Sequence, residues 1–270
     1  MILREPVYLY FLGTAGCGKS TLTGAFSSWL DQMDVSNQVV NLDPGADSVP
    51  YEPDVDIREW VTLQEVMKEY GLGPNGAQIV TADMLALQLP HVKKALEGSR
   101  PSVVLVDTPG QLELFTFRES TRHIIENLSG RRSLLVYIVD PFNARTATGL
   151  TSQMVLASLC HFRFSVPFTM VLSKADLVER RELDRILHIS SSPEVLYEAL
   201  LSEVRGSPSM EKEYALDLYR TLEDLGLFGT LKPLSAQTGE GLEMIYKVYT
   251  DIFLGGEEEV ELPDEFNPVI

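Results

Sequence analysis

The 270-residue sequence predicts an α/β fold in three layers: a mostly parallel central sheet between layers of helices, with an added helical segment late in the chain. Three observations carry this. Short apolar runs alternate with longer segments of helical pattern. The apolar runs are nearly continuous rather than alternating, as in strands buried on both faces. No hairpin signal stands between Asp43 and Val103, where a strand pair would make the sheet mixed.

The strands are expected over Val7–Leu12, Gln38–Leu42, Val103–Val106, Leu134–Val139, Phe168–Leu172 and Leu231–Leu234. Helices are expected over Lys19–Met33, Thr62–Tyr70, Ala82–Glu97, Ser120–Leu128, Ala147–His161, Pro193–Val204, Met210–Leu225 and Leu242–Phe253. Thr62-Leu63-Gln64-Glu65 has the spacing of a capping box, in which the threonine hydroxyl and the glutamate satisfy each other's backbone donors. Residues 1–254 read as one domain, with 179–229 as a helical insertion. The acidic, Pro-containing stretch 255–270 is expected to be a flexible tail.

Composition narrows the function classes. Mean hydropathy is +0.01, and runs such as Leu134–Val139 are far too short to span a bilayer. The N-terminus shows no charged segment followed by a long apolar one, so a cytoplasmic location is expected. A net charge of −17 repels nucleic acid and anionic membranes, and neither is expected as a direct partner. Two cysteines, Cys17 and Cys160, form neither a disulfide framework nor a paired metal motif.

Gly13-Thr14-Ala15-Gly16-Cys17-Gly18-Lys19-Ser20 matches G-x-x-x-x-G-K-[ST] in full, between a strand pattern and a helix pattern. The glycines let backbone approach phosphate oxygens. Loop N–H groups and the helix N-terminus supply positive potential. Lys19 is placed to reach the β- and γ-phosphates, Ser20 to ligate Mg²⁺, and Thr21 follows in the first helical turn. Cys17 fills a variable position of the loop. The layered sheet is therefore expected to be a P-loop NTPase fold.

Val103-Val104-Leu105-Val106-Asp107-Thr108-Pro109-Gly110 is an apolar strand ending in D-x-x-G. Asp107 can hold Mg²⁺, and Gly110 can offer its N–H to a γ-phosphate. Gln111 and Glu113 can bond a water there, or sit as plain surface residues. Asp43, after the second strand, reaches the same carboxyl edge of the sheet. It can act on the metal shell or the attacking water, or simply form the turn before Pro44.

Ser173-Lys174-Ala175-Asp176 has the form of N-K-x-D with serine first. Its carboxylate can accept from guanine N1–H and the exocyclic amine, a donor pair adenine lacks, while the Lys174 stem covers the base plane. Ser235-Ala236-Gln237 has the form of S-A-K, whose backbone contacts the guanine oxygen. The nucleotide is thus expected to be GTP, with GDP as product.

These motifs, with Asn41-Leu42-Asp43-Pro44, Tyr51 through Glu59, Gly73-Pro74-Asn75 and Asp107 through Glu113, resemble the GPN-loop GTPases from Val7 to about Phe253. The resemblance implies a homodimer with facing nucleotide sites, in which the Gly-Pro-Asn loop of one subunit places Asn75 near the γ-phosphate of the other. It implies that Asp43, Gln111 and Glu113 orient the hydrolytic water. Eukaryotic members assist RNA polymerase assembly, so its subunits are the client class implied. The short chain compares with archaeal members.

The residues also allow two other functions. A P-loop kinase shares the cradle but needs an arginine-rich lid, which neither Arg131-Arg132 nor Arg180-Arg181 resembles. A scaffold can bind GTP with negligible turnover. The segment 179–229 is either a client surface or packing over the sheet.

Overall fold

The computed structural model describes residues 5–255. From 256 onward the expected tail lies outside the described residues.

The strands are β1 (Val7–Gly13), β2 (Asn37–Asn41), β3 (Val55–Asp56), β4 (Val103–Asp107), β5 (Ser133–Val139), β6 (Phe168–Leu172) and β7 (Lys232–Pro233). They form one sheet in the order β3-β2-β4-β1-β5-β6-β7, and every pair is parallel. The all-parallel expectation holds. All six expected strands are present, and β3, only two residues long, is an additional one.

The helices are α1 (Lys19–Gln32), α2 (Leu63–Tyr70), α3 (Pro74–Leu96), α4 (Leu112–Thr116), α5 (Glu119–Leu128), α6 (Pro141–Ala144), α7 (Ala147–Phe164), α8 (Arg180–Ile189), α9 (Pro193–Gly206), α10 (Met210–Asp224) and α11 (Leu242–Phe253). The capping box of α2 forms as its spacing predicts, with Glu65 N donating to Thr62 Oγ1 and Thr62 N donating to Glu65.

The continuous apolar runs reflect burial on both faces. Val7, Leu9 and Phe11 of β1 face α1 and α11, where Trp29 stacks on Phe26 and tilts against Tyr246. Tyr8, Tyr10 and Leu12 face the larger core under α2–α10. Burying one such aromatic side chain stabilises by about 1.5–3 kcal/mol. β1 runs between β4 and β5, so its terminal loop emerges at the centre of the sheet edge.

One element differs from expectation in a way that matters. The Gly73-Pro74-Asn75 segment, read as a loop ahead of a helix starting at Ala82, is the first turn of the 23-residue α3. Gly73 is the extended N-cap and Pro74 takes the first helical position, where its missing N–H costs nothing. Asn75 is therefore a helical residue rather than a turn residue.

Helices α8–α10 pack on α6, α7 and one another rather than chiefly on the sheet. Glu203 of α9 accepts from the N–H groups of Ala147 (2.7 Å) and Thr148 (3.1 Å), capping the N-terminus of α7. No described helix is long and apolar enough to cross a membrane.

Candidate nucleotide site

All the candidate residues except Asn75 lie at the carboxyl edge of the sheet, where parallel α/β sheets bind ligands. The P-loop follows the central strand β1. Gly13 has φ 154°, and a Cβ there would lie 2.6 Å from both Cys17 Sγ and Ile138 O. Gly16 and Gly18 have φ 76° and 99°, left-handed values that favour glycine. Cys17 is fully buried, as a filler residue should be, and burial pushes its thiol pKa up. Lys19 is buried and donates from Nζ to Gly13 O (3.0 Å), Thr14 O (3.2 Å) and Gly110 O (3.3 Å).

Asp107 is the last residue of β4 and is 1% exposed. Burial raises its carboxyl pKa, against the lowering influence of the Ser20 and Tyr51 hydroxyls. Tyr51 donates to Oδ2 at 2.8 Å, while Oδ1 is buried with no hydrogen-bond partner. An unpartnered carboxylate oxygen beside the Ser20 hydroxyl fits Mg²⁺ or a water of its shell. Among the described residues no group of three or more His, Cys, Asp or Glu could hold a metal alone. A cation here must therefore be completed by phosphate and water oxygens, the usual habit of Mg²⁺.

On the β2 side, Asp43 accepts from Gly45 N (2.9 Å) and Gly110 N (3.0 Å). Burial raises its pKa above the usual carboxylate range, opposed by those two N–H groups. Its loop is clamped from below. Asn41 Oδ1 accepts from Asp43 N (3.0 Å), Asn41 Nδ2 donates to Asp56 of β3 (3.0 Å), and Arg58 pairs with Asp56 while donating to Ala46 O (3.0 Å). The extra strand β3 thus positions a candidate catalytic carboxylate.

Asp43, Gly110 and Gln111 line a cavity of about 290 Å³ with Ala15 of the P-loop and Gln78 of α3. Gln111 Nε2 donates to Gln78 Oε1 at 2.7 Å. Glu113 and Asn75 are exposed on the first turns of α4 and α3 and line neither this cavity nor the one below.

On the β6 side a second cavity, of about 190 Å³, is lined by Gly18, Thr21, Ser173, Lys174, Asp176, Ala236 and Gln237. The serine that departs from N-K-x-D is accommodated. Ser173 Oγ donates to Cys17 O at 2.8 Å, tying this loop to the P-loop. Lys174, at φ 53°, donates to Gly16 O (2.6 Å) and Asp140 (2.7 Å), and its Cε lies over Gly18. Ala175 N donates to Leu234 O (3.1 Å), and Ser235 Oγ accepts from Thr238 N (3.1 Å). Asp176 is exposed rather than buried.

Sequence reasoning gave no role to Tyr51, Gln78, Asp140 or Arg58. Tyr51, Gln78 and Asp140 act through partners distant in the chain, whereas Arg58 acts through Asp56 two residues before it, and only Tyr51 and Arg58 lay within a quoted motif. Arg180, of the arginine pair that does not resemble a kinase lid, pairs with Asp184 on its own helix.

Comparison with known proteins agrees with this geometry. A family model described as "Conserved hypothetical ATP binding protein" matches residues 11–253. A GPN-loop GTPase of Pyrococcus abyssi is 35% identical over 235 residues, covering 86% of this chain and 92% of that protein. GPN-loop GTPase 3 of Kluyveromyces lactis is 30% identical over 253 residues, 89% of each. The crystal structure of the Pyrococcus abyssi protein, described as a GTPase in apo form, superposes with a TM-score of 0.80 at 33% identity, over 91% of this chain and 96% of that one. The chain belongs to the GPN-loop GTPase family.

Proposed function

We propose that this chain binds GTP with Mg²⁺ and hydrolyses it to GDP and phosphate as a homodimer. One observation carries the reading. The P-loop lies between a cavity presenting Asp176 and a cavity presenting Asp43, Gly110 and Gln111. A nucleotide on the P-loop with its base over Asp176 directs its γ-phosphate toward the other side. The matched model's description speaks of ATP, whereas adenine offers a carboxylate at Asp176 no paired N–H donors.

In this reading Lys19 exchanges its loop carbonyls for β- and γ-phosphate oxygens. Ser20 and Asp107 would hold Mg²⁺, which would supply charge neutralisation at those oxygens. Gln111 and Asp43 align a water for in-line attack on the γ-phosphorus, with Glu113 assisting from α4. The bond from that phosphorus to the β–γ bridging oxygen breaks, leaving GDP. Asn75 of the second subunit donates to the γ-phosphate; its exposed place at a helix start suits a group offered outward. Positioning and charge stabilisation supply most of the rate. GTP turnover then switches the dimer between shapes read by a cytoplasmic client, with RNA polymerase subunits the class the family resemblance suggests.

The test is phosphate release by the purified chain with GTP or ATP and Mg²⁺, alongside solution mass. GTP-selective release that falls in Asn75→Ala supports the reading. Wild-type turnover in Asn75→Ala contradicts the trans role. Transfer of labelled γ-phosphate to an acceptor other than water contradicts hydrolysis, and so does tight binding without release.

A further inference from the structure

Gln78 is the one residue of α3 that reaches into the hydrolysis cavity with a polar group bonded to a candidate catalytic side chain. It follows Asn75 by three positions, so the two amides occupy neighbouring places on one helix face. Its backbone is firmly held. Ala77 beside it is fully buried, and the buried Thr81 one turn on bonds back to the Ala77 carbonyl. Gln78 therefore presents its Oε1 from a fixed base.

Gln111 sits at the start of a short helix, where its carbonyl accepts from Phe115 N at 3.3 Å. It is the N-cap of the five-residue α4, follows Pro109-Gly110, and has three side-chain torsions to order. In the 2.7 Å bond its Nε2 donates to Gln78 Oε1, with the NH₂ end toward α3. With the NH₂ end committed to α3, the carbonyl end is the free one. That end can accept a hydrogen bond from a water, which is what a water-aligning amide must do.

We propose that Gln78 is a positioning residue for GTP hydrolysis, holding the Gln111 amide with its oxygen turned to the attacking water. This rests on the role given to Gln111 above. It also makes α3 a shared element. Its first turn carries Asn75 outward and its second turn holds Gln111 inward, so a displacement of the first turn is felt at the water-aligning group of the same chain.

The test compares Gln78→Met, of similar length with no amide, with Gln111→Ala and the double variant. The readouts are GTP dissociation constants and single-turnover rates at saturating GTP. The expected result for Gln78→Met is a rate about tenfold lower, equivalent to ~1.4 kcal/mol, with GTP affinity within about twofold of wild type. Added to Gln111→Ala, the same substitution has no further effect, because the two residues act as one unit. A Gln78→Met rate equal to wild type while Gln111→Ala is slow overturns the inference alone. So does an undiminished Gln78→Met effect in the Gln111→Ala background. Wild-type turnover in Gln111→Ala overturns the reading beneath it. If Gln78→Met loses GTP binding, Gln78→Asn replaces it: its amide falls short of Gln111, so slow turnover supports the inference and wild-type turnover overturns it.

Discussion

The two sides of the P-loop are built differently. On the β6 side the loops are tied directly to the cradle. Ser173 bonds Cys17 O, Lys174 bonds Gly16 O, and Ala175 N bonds Leu234 O. None of these groups has to leave its partner for a base to enter the cavity beside Asp176. On the β2–β4 side the groups that would meet a γ-phosphate hold one another instead. Gly110 N is bonded to Asp43, and Lys19 Nζ to loop carbonyls. The base side is a prebuilt platform, whereas the hydrolysis side must exchange internal partners for ligand oxygens. On the proposed reading, recognition is rigid while hydrolysis is tied to a rearrangement.

The largest effect should come from the part both sides share. Gly13→Ala places a Cβ 2.6 Å from Ile138 O, a backbone atom that cannot yield cheaply. Equilibrium titration with fluorescent GTP should find no saturable binding, and near-normal affinity would mean the cradle is not closed at Gly13.

Tyr51→Phe breaks the hydrolysis side while leaving the base side untouched. It removes the donor to Asp107 Oδ2 and leaves a buried carboxylate oxygen unpaired, costing about 1–3 kcal/mol of stability. Loss of an orienting partner also weakens metal sites, so the Mg²⁺ concentration for half-maximal turnover should rise about tenfold or more. Chemical denaturation and a Mg²⁺ titration check both, and an unchanged Mg²⁺ requirement would leave Tyr51 a packing residue.

Ser173→Ala sharpens the other half. It cuts the tie to Cys17 O and costs about 1 kcal/mol, equivalent to roughly fivefold weaker GTP binding. The hydrolysis rate at saturating GTP should not change.

The same contrast explains what was legible in the sequence. The base side was readable because its residues are consecutive and its strands are continuous apolar runs. Even the serine in place of asparagine kept its chemistry, since its hydroxyl reaches the P-loop carbonyl. On the hydrolysis side the sequence singled out Asp107, which ends a strand, and Asp43, Gly110, Gln111 and Glu113, which follow one, together with Asn75. What orients them comes from afar in the chain: Tyr51 to Asp107, Arg58 through Asp56 and Asn41 to Asp43, and Gln78 to Gln111. A two-residue strand such as β3 has no periodicity to detect. The start of α3 was missed because Pro-Asn-Gly is a common turn signal, yet Pro after an extended glycine is equally a helix start. Tertiary packing of Ala77 and Thr81 decides between them.

The central claim is this division of labour, and one paired measurement tests it most directly. GTP affinity and single-turnover rate at saturating GTP are measured side by side in Asp176→Ala and Gln111→Ala. The account predicts that Asp176→Ala weakens GTP binding by about 10²-fold or more and erodes preference over ATP, while the rate at saturation stays near wild type. It predicts that Gln111→Ala binds GTP normally and loses about 10²-fold in rate. A parallel loss of binding and rate in either variant, or no loss in both, would contradict it.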